Sequence, residues 1–268
     1  MNDVALRSGL ISDFFGELYN YREYLLQSVM RDLRNKYKRS ILGYLWTMFH
    51  PLAMMGVLSI VFSHMMRVPI HDYAIFLFAG LLPWNFFNST ALMSLHSIRS
   101  NARLFGQIPV PKYIFVLSIT FSNWANYVFA LVPLLVLCLL FGRSIPLTVL
   151  AYPIVVLPLI FVTLGVSFVL AACNVFFDDT LHLSEVGLSM LYFLTPVLYA
   201  RDMLPPNLVH FLVLNPLFNQ IEFLRNIFYD GVLPNPETFA INFVLSFMIF
   251  AAGLAFFRRF EDRFLYFI

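Results

Sequence analysis

Charged residues are scarce in this sequence. Only 12% of the 268 residues are Asp, Glu, Lys or Arg, whereas 60% are hydrophobic and the mean hydropathy is +0.78. A soluble domain carries about 25% charged residues, so a water-facing shell could not cover this much apolar surface. The composition therefore predicts an integral membrane protein with no role in binding nucleic acid.

Motifs for nucleotide hydrolysis and metal chemistry are also absent. No Gly-Lys pair occurs, which excludes the P-loop GxxxxGK[ST], and neither HExxH, GxSxG nor a Cys/His ligand cluster is present. The two cysteines, Cys138 and Cys173, lie in apolar segments and are expected to be small buried hydrophobes. We therefore expect no catalytic residue, metal or cofactor site in this chain.

Six long apolar segments are present, each near or above the ~20 residues that a helix needs to cross a ~30 Å hydrocarbon core. They are Ile41–Met66, Tyr73–Ser94, Tyr113–Phe141, Leu147–Phe177, Leu183–Tyr199 and Phe239–Phe257. The sequence thus predicts an all-α membrane protein forming one domain over residues 1–268, with spans one to five in residues 41–199 and the sixth in residues 239–257.

The distribution of Lys and Arg predicts the orientation. Thirteen of the 17 lie in the N-terminal arm, the Ser94–Lys112 loop and the C-terminal tail, and only four lie in the opposite loops. Because cytoplasmic loops carry the excess of positive charge, both termini are expected in the cytoplasm.

Within the six segments the only charged residue is Glu185, at the start of the fifth. Ion-coupled carriers need an ionisable group at membrane depth, so transport energy should come from a partner.

The N-terminal stretch Leu10–Leu33 has helical periodicity and is too polar to span. We expect it to lie in the cytoplasmic membrane interface, the alternative being a helix packed on soluble protein. A basic cluster that favours anionic lipid head groups begins in the last turn of this stretch and continues beyond it. Its members are Arg31, Arg34, Lys36, Lys38 and Arg39.

The Ala200–Thr238 segment contains five prolines, yet it is apolar. Asn215-Pro216 is a helix-start signal and Gly231 a natural helix stop, which predicts a short helix between them. We interpret the segment as re-entrant helices dipping into the outer leaflet, with Asn215, Pro216, Glu222 and Arg225 as candidate gate residues. Such backbone is tolerated only where protein or a cavity covers it. An ordinary surface loop is the alternative.

Five stretches carry a resemblance to a known family, in the family's order: RDLRNKYKRSILGYLWTMFHPL, FAGLLPWNFF, NARLFGQIPVPKYIFVLS, YFLTPVLYARDMLP and NPLFNQIEFLRNIFYDG. The chain resembles the membrane subunit of ABC-2 exporters for cell-surface polysaccharides, which include O-antigen, teichoic-acid and capsule permeases. The KYKRSxLGYLW form is most similar to the O-antigen and teichoic-acid permeases.

This resemblance implies a homodimer in the bacterial inner membrane, served by two ATPase subunits that bind ATP and Mg. A lipid-linked polysaccharide would pass between the two permeases. By position, the coupling segments toward the ATPase are Asn101, Ala102, Arg103, Leu104, Phe105 and Gly106, and the Phe176–His182 loop with Asp178 and Asp179. The family often has Arg-Asp where this chain has Asp178-Asp179, so a salt bridge expected there is not assured.

Aromatic residues make up 18% of the chain, and aromatic faces beside amides suit sugar rings. Candidate channel residues are Tyr44, Trp46, Trp84, Phe86, Phe87, Tyr192 and Phe193, although each one taken alone is more often a packing residue.

Two other functions stay open at this stage. One is an ABC-2 permease for drugs or small lipids. The other is an intramembrane glycosyl- or acyltransferase, for which Glu222 with His210 is the nearest candidate pair.

Overall fold

The computed structural model describes residues 9–37, 45–66, 70–105, 107, 110–142 and 145–267. In these ranges the chain is helical and contains no strand, as the all-α prediction requires. The α-helices are α1 (Leu10–Asn20), α2 (Arg22–Tyr37), α3 (Leu45–Met66), α4 (Ile70–Leu95), α5 (Ser97–Ser100), α6 (Tyr113–Leu140), α7 (Tyr152–Val155), α8 (Leu157–Phe176), α9 (Thr180–Leu194), α10 (Pro206–Leu212), α11 (Pro216–Arg225) and α12 (Pro236–Phe260).

Four helical stretches are long and apolar enough to cross a membrane, and they coincide with the second, third, fourth and sixth predicted segments. They are Tyr73–Leu95, Tyr113–Leu140, Leu147–Phe176 and Pro236–Tyr266. The first predicted segment contains α3, an apolar helix of 22 residues, and residues 41–44 before it lie outside the described ranges. The total of six spans stays a prediction.

Helix α9 occupies the fifth predicted segment but differs from it in length. It begins at Thr180 and ends at Leu194, five residues before the predicted end at Tyr199. Thr195 precedes Pro196, and a residue before proline is sterically disfavoured in the helical conformation. Its 15 residues rise about 22 Å, less than the ~30 Å of a hydrocarbon core.

Helices α8 and α12 cross at two glycines. A Cβ atom on Gly253 would lie 2.2 Å from the carbonyl oxygen of Gly165, and one on Gly165 would lie 2.5 Å from that of Ile249. Small residues permit this backbone approach, which is how membrane helices pack without a hydrophobic driving force between them. The two glycines come from different helices, so the crossing needs no GxxxG motif.

The buried apolar side chains form two clusters. One surrounds α4 and includes Leu77 and Phe78, together with Leu217 and Leu224 of α11. The other joins the start of α6 to the ends of α8 and α12, through Tyr113, Phe168, Phe257 and Phe264. We call the second region, together with α1, α5 and the C-terminal turn, the basal end.

The predicted N-terminal helix is interrupted at Tyr21, which separates α1 from α2. One apolar row, Phe14, Leu25 and Leu33, is buried, and the ring of Phe14 lies 5.1 Å from that of Tyr113. A second apolar row is 46–68% exposed and consists of Phe15, Tyr19, Leu26 and Met30. The helix pair therefore packs on the bundle with one face and leaves another apolar face open, as an interfacial helix would.

Candidate functional site

The first predicted coupling segment lies at the basal end. Ala102–Leu104 forms a single 3-10 turn after Asn101, with Arg103 exposed, and Gly106 lies outside the described residues. The ring of Phe105 packs on Phe115 at 5.6 Å, and the ammonium group of Lys112 lies 5.9 Å from its centroid. The turn is thus fixed to the start of α6 while Arg103 remains open to a partner.

The second predicted coupling segment lies beside the first. Asp178 accepts a hydrogen bond from Arg99, and the other guanidinium nitrogen of Arg99 donates to the carbonyl of Val175 at 3.1 Å. Asn174, buried, donates to the carbonyl of Leu95 at 2.8 Å. Although the sequence lacks the family's Arg-Asp pair here, Arg99 supplies a cation from the neighbouring loop. Asp179 is the residue before α9.

The basic cluster is described only in part, because Lys38 and Arg39 lie outside the described residues. Arg31 pairs with Asp32 at 3.2 Å, and Asp32 also accepts a hydrogen bond from Ser118 of α6 at 2.8 Å. Arg34 and Lys36 are exposed. The cluster is therefore attached to the bundle through Asp32.

A carboxylate joins the two ends of the chain. Glu17 accepts hydrogen bonds from the hydroxyl of Tyr113 at 2.6 Å and from Arg258 at 2.7 Å. The side chain of Arg258 is only 14% exposed, and its guanidinium lies 5.3 Å from the Tyr113 ring. Lys112 donates to the carbonyl of Glu261 at 2.6 Å. These contacts hold α1 and the C-terminal turn against the start of α6.

We expect Glu17→Ala to lower the free energy of unfolding by about 1–3 kcal/mol, because Arg258 and Tyr113 lose their acceptor in a partly buried site. Glu23→Ala is the matched control, since Glu23 is 75% exposed and its ion pair among the described residues is with the neighbouring Arg22. Thermal unfolding of the purified subunit in detergent measures both variants. Equal midpoints for the two would contradict the expectation.

The candidate channel aromatics fall into two groups. Trp84, Phe86 and Phe87 are buried in the α4 cluster, at no more than 5% exposure. Trp46 and Phe193 are 47% and 68% exposed, and Tyr192 is half-buried with its ring 5.3 Å from Trp84. Tyr44 lies outside the described residues. In the single chain, only the second group offers side chains to a surface.

The candidate gate segment has the predicted helix boundaries. The side chain of Asn215 accepts a hydrogen bond from the amide of Leu217 at 3.0 Å, and Pro216 occupies the first turn. After Arg225 the helix widens into a π turn over Asn226–Asp230, and it ends at Gly231, which has a left-handed backbone with φ of 70°. We call α10 and α11 together the outer hairpin, after the predicted position in the outer leaflet.

Arg225 is buried, with a side chain 2% exposed, and it contacts three elements. Its guanidinium donates to the carbonyls of Val197 at 2.7 Å and Tyr199 at 3.4 Å, beyond α9, and to that of Phe76 in α4 at 3.3 Å. It pairs with Glu222 at 3.2 Å. Burial lowers the pKa of Arg225 to about 10 and raises the pKa of Glu222, while the pairing opposes both changes.

Three amide side chains that the sequence analysis did not single out hold the other side of α11. Gln220, fully buried, donates to the carbonyl of Val155 in α7. Asn242 of α12 donates to Gln220 and accepts from Asn219, both at 3.4 Å. Adjacent amides directly after an Asn-Pro helix start, inside an apolar run, are the sequence signal that points to such a network. Helix α11 is thus fixed to the bundle on both faces.

The rival enzymatic interpretation depends on Glu222 acting with His210. In the structure Glu222 is engaged by Arg225, and the side chain of His210 is outside what the structure describes. Among the described residues, no group of three His, Cys, Asp or Glu side chains could hold a metal ion.

The apolar helical bundle, with four stretches long and apolar enough to cross a membrane among the described residues, is that of a multi-pass membrane protein. The model of the ABC-2 type transporter family matches residues 23–229, and the chain belongs to that family. It is therefore a transport subunit rather than an enzyme, and the family implies an ATP-binding partner.

Curated relatives match along nearly the whole chain. An O-antigen export system permease protein RfbA from Klebsiella pneumoniae is 32% identical over 235 residues, which cover 87% of this chain and 90% of the relative. Another from Myxococcus xanthus is 33% identical over 249 residues, covering 92% and 96%. The polysialic acid transport protein KpsM of Escherichia coli is 24% identical over 245 residues, covering 88% and 93%.

Proposed function

We propose that this chain is the permease subunit of an ATP-driven exporter that moves a lipid-linked, O-antigen-like polysaccharide out of the cytoplasm. The observation that carries the proposal is the similarity to two O-antigen export permeases over 87% and 92% of the chain. The family model matches residues 23–229, a range that includes both basal loops and the outer hairpin. The more distant polysialic acid transport protein supports polysaccharide as the substrate class.

Two copies of this chain would form the channel, with two ATPase subunits at the basal end. The grouping of the Asn101–Phe105 turn with the Asp178 loop supports this arrangement, because a single partner surface could contact both. The ATPase subunits would bind ATP and Mg. The excess of Lys and Arg at the basal end supports its placement on the cytoplasmic side of the inner membrane.

The polysaccharide path would lie between the two permeases, where residues exposed on the single chain become available. Trp46 and Phe193 have the required exposure, with Tyr192 beside them. The buried Trp84, Phe86 and Phe87 would instead support the shape of this surface from within. Aromatic rings of this kind contact the apolar faces of sugars while the hydroxyl groups bind amides and water.

The experiment that tests the proposal is purification of the tagged subunit from its native membrane, with mass spectrometry of the proteins that accompany it. A stoichiometric ATPase carrying a P-loop is expected. The purified complex, reconstituted in vesicles, should then move lipid-linked glycan in an ATP-dependent way. Recovery of the subunit alone, or ATP turnover with no glycan movement, would contradict the proposal.

We expect Arg103→Ala to lower glycan export roughly tenfold, the effect of losing about 1.4 kcal/mol of contact with the ATPase. Phe105→Ala should lower export to a similar extent, because the turn that carries Arg103 loses its packing on Phe115. ATP hydrolysis by the complex should fall less than export does. Arg259→Ala is the control, because Arg259 is an exposed cation at the same end and outside both coupling segments. An equal loss in the control would indicate a general charge effect.

A further inference from the structure

Helix α9 is packed thinly along its length. Of its 15 residues only Ser184 and Leu188 are buried. Five of its larger apolar side chains are 49–73% exposed, and these are Leu183, Val186, Met190, Phe193 and Leu194. Leu188, Leu191 and Tyr192 pack against the cluster around α4. In the single chain, α9 therefore packs on the bundle with part of its surface, and further contacts fix the chain before its first residue and after its last.

The attachment before α9 is at the basal end. Asp178 pairs with Arg99, the residue that also binds the carbonyl of Val175 at the end of α8. The carbonyl of Asp179 accepts the amide of Leu183 at 3.0 Å, so the ion pair lies directly before the first helical turn. A displacement of the loop that carries Asp178 would therefore be applied to α9 itself.

The attachment after α9 consists of three consecutive backbone carbonyls at residues 197–199. Arg225 of α11 donates to the carbonyls of Val197 and Tyr199, at 2.7 and 3.4 Å. Tyr73 of α4 donates its hydroxyl hydrogen to the carbonyl of Leu198 between them, at 2.8 Å. The hydroxyl of Tyr199 donates back to the carbonyl of Phe193 in α9, at 2.7 Å. The last turn of α9 is thus joined to α4 and α11.

Gly80 of α4 makes room for this arrangement. A Cβ atom at position 80 would lie 2.7 Å from a terminal nitrogen of Arg225. The Arg225 guanidinium also lies 3.6 Å from the centroid of the Phe76 ring, which fixes its plane. An arginine has several donors in a rigid fork, so it binds separated carbonyls that a single ammonium could not reach together.

We propose that Arg225 and Tyr73 are positioning residues that join α9 to the outer hairpin, so that α9 transmits displacement from the basal loops to that hairpin. The inference rests on the proposed function, because it assumes that a partner ATPase moves the basal loops. A helix is a rigid element, so a shift applied at one of its ends displaces the segment that is attached at the other. Hydrogen bonds from a charged guanidinium are strong enough to carry that shift.

The test uses the complex of this chain with its ATPase in lipid vesicles. Cys138 and Cys173 are replaced by Ala, and Phe211→Cys places a thiol on α10, where Phe211 is 74% exposed. A membrane-impermeant maleimide then measures the thiol labelling rate with and without ATP. Arg225→Lys retains the charge, Tyr73→Phe removes only one hydroxyl, and Arg201→Lys is the matched control on an exposed arginine of the same region.

In the parent complex the labelling rate should depend on ATP. Arg225→Lys should reduce the ATP-dependent change roughly tenfold, the factor that corresponds to one hydrogen bond to a charged group. Tyr73→Phe should reduce it about threefold, in keeping with one neutral hydrogen bond. ATP hydrolysis should continue in both variants, and a residue that only stabilises the fold would not separate hydrolysis from labelling in this way. Arg201→Lys should behave as the parent does.

A parent-like ATP response in both variants, or no ATP response in the parent, would overturn the inference. If Arg225→Lys does not assemble, the Tyr73→Phe result decides alone. An ATP-dependent labelling change without glycan movement would contradict the proposed substrate and leave the role of α9 supported, so the two failures are distinguishable.

Discussion

Replacing Gly253 by leucine is expected to abolish recovery of folded subunit. A Cβ atom there would lie 2.2 Å from the carbonyl oxygen of Gly165, and the three nearest atoms are all backbone atoms that cannot move aside as a side chain does. Overpacking of a well-packed interior costs about 1–3 kcal/mol and more where backbones collide, so we expect a loss of more than ~3 kcal/mol. Size-exclusion profiles in detergent measure the folded fraction.

Gly56→Ala is the control for this variant. Gly56 also lies inside a long apolar helix, α3, but an added Cβ would meet nothing within 4 Å. Alanine should therefore be neutral or stabilising by up to about 1 kcal/mol, through its higher helix propensity. A folded, monodisperse Gly253→Leu subunit would mean that α8 and α12 do not approach each other at this crossing.

Arg225→Met is expected to lower the free energy of unfolding by about 3–5 kcal/mol. The substitution leaves Glu222 without its buried counter-charge, and it leaves the carbonyls of Val197 and Phe76 without their donor. The thermal unfolding midpoint of the purified subunit measures the loss. Arg201→Met, on an exposed arginine, should change the midpoint little.

The double variant Arg225→Met/Glu222→Gln separates the two parts of this loss. Neutralising Glu222 removes the unpaired charge, so part of the stability should return, while the carbonyls still lack their donor. Full recovery in the double variant would assign the whole effect to the ion pair. No recovery would assign it to the carbonyl contacts.

Local sequence signals were sufficient to predict where α11 begins and where the π turn that follows it ends. The side chain of Asn215 caps the helix by accepting the amide hydrogen of Leu217, and Pro216 fits the first turn. Gly231 has the left-handed backbone at which the π turn ends. These features depend on neighbouring residues alone. The end of α9 was predicted five residues too late, because apolar character continues beyond Pro196 while helical backbone does not.

The tertiary contacts of the site could not be predicted in the same way. Arg225 was singled out as a gate residue, but its partners are backbone carbonyls 26–149 residues away, and a carbonyl has no sequence signature. The contact between Gly165 and Gly253 could not be predicted either, because each glycine meets backbone atoms of a helix distant in the sequence. For the aromatics, the sequence gives no difference between the buried Trp84 and the exposed Trp46, since both follow apolar residues in predicted spans.

The carboxylate of Glu17 has a consequence for how the protein is made. Its partner Arg258 follows 241 residues later, at the end of the last long helix. At translation rates of about 5–20 residues per second, that interval corresponds to roughly 12–48 seconds. Tyr113 becomes available 96 residues after Glu17, and Arg258 only 145 residues after that. The final attachment of the N-terminal arm is therefore a late event in biogenesis, completed only after α12 has left the ribosome.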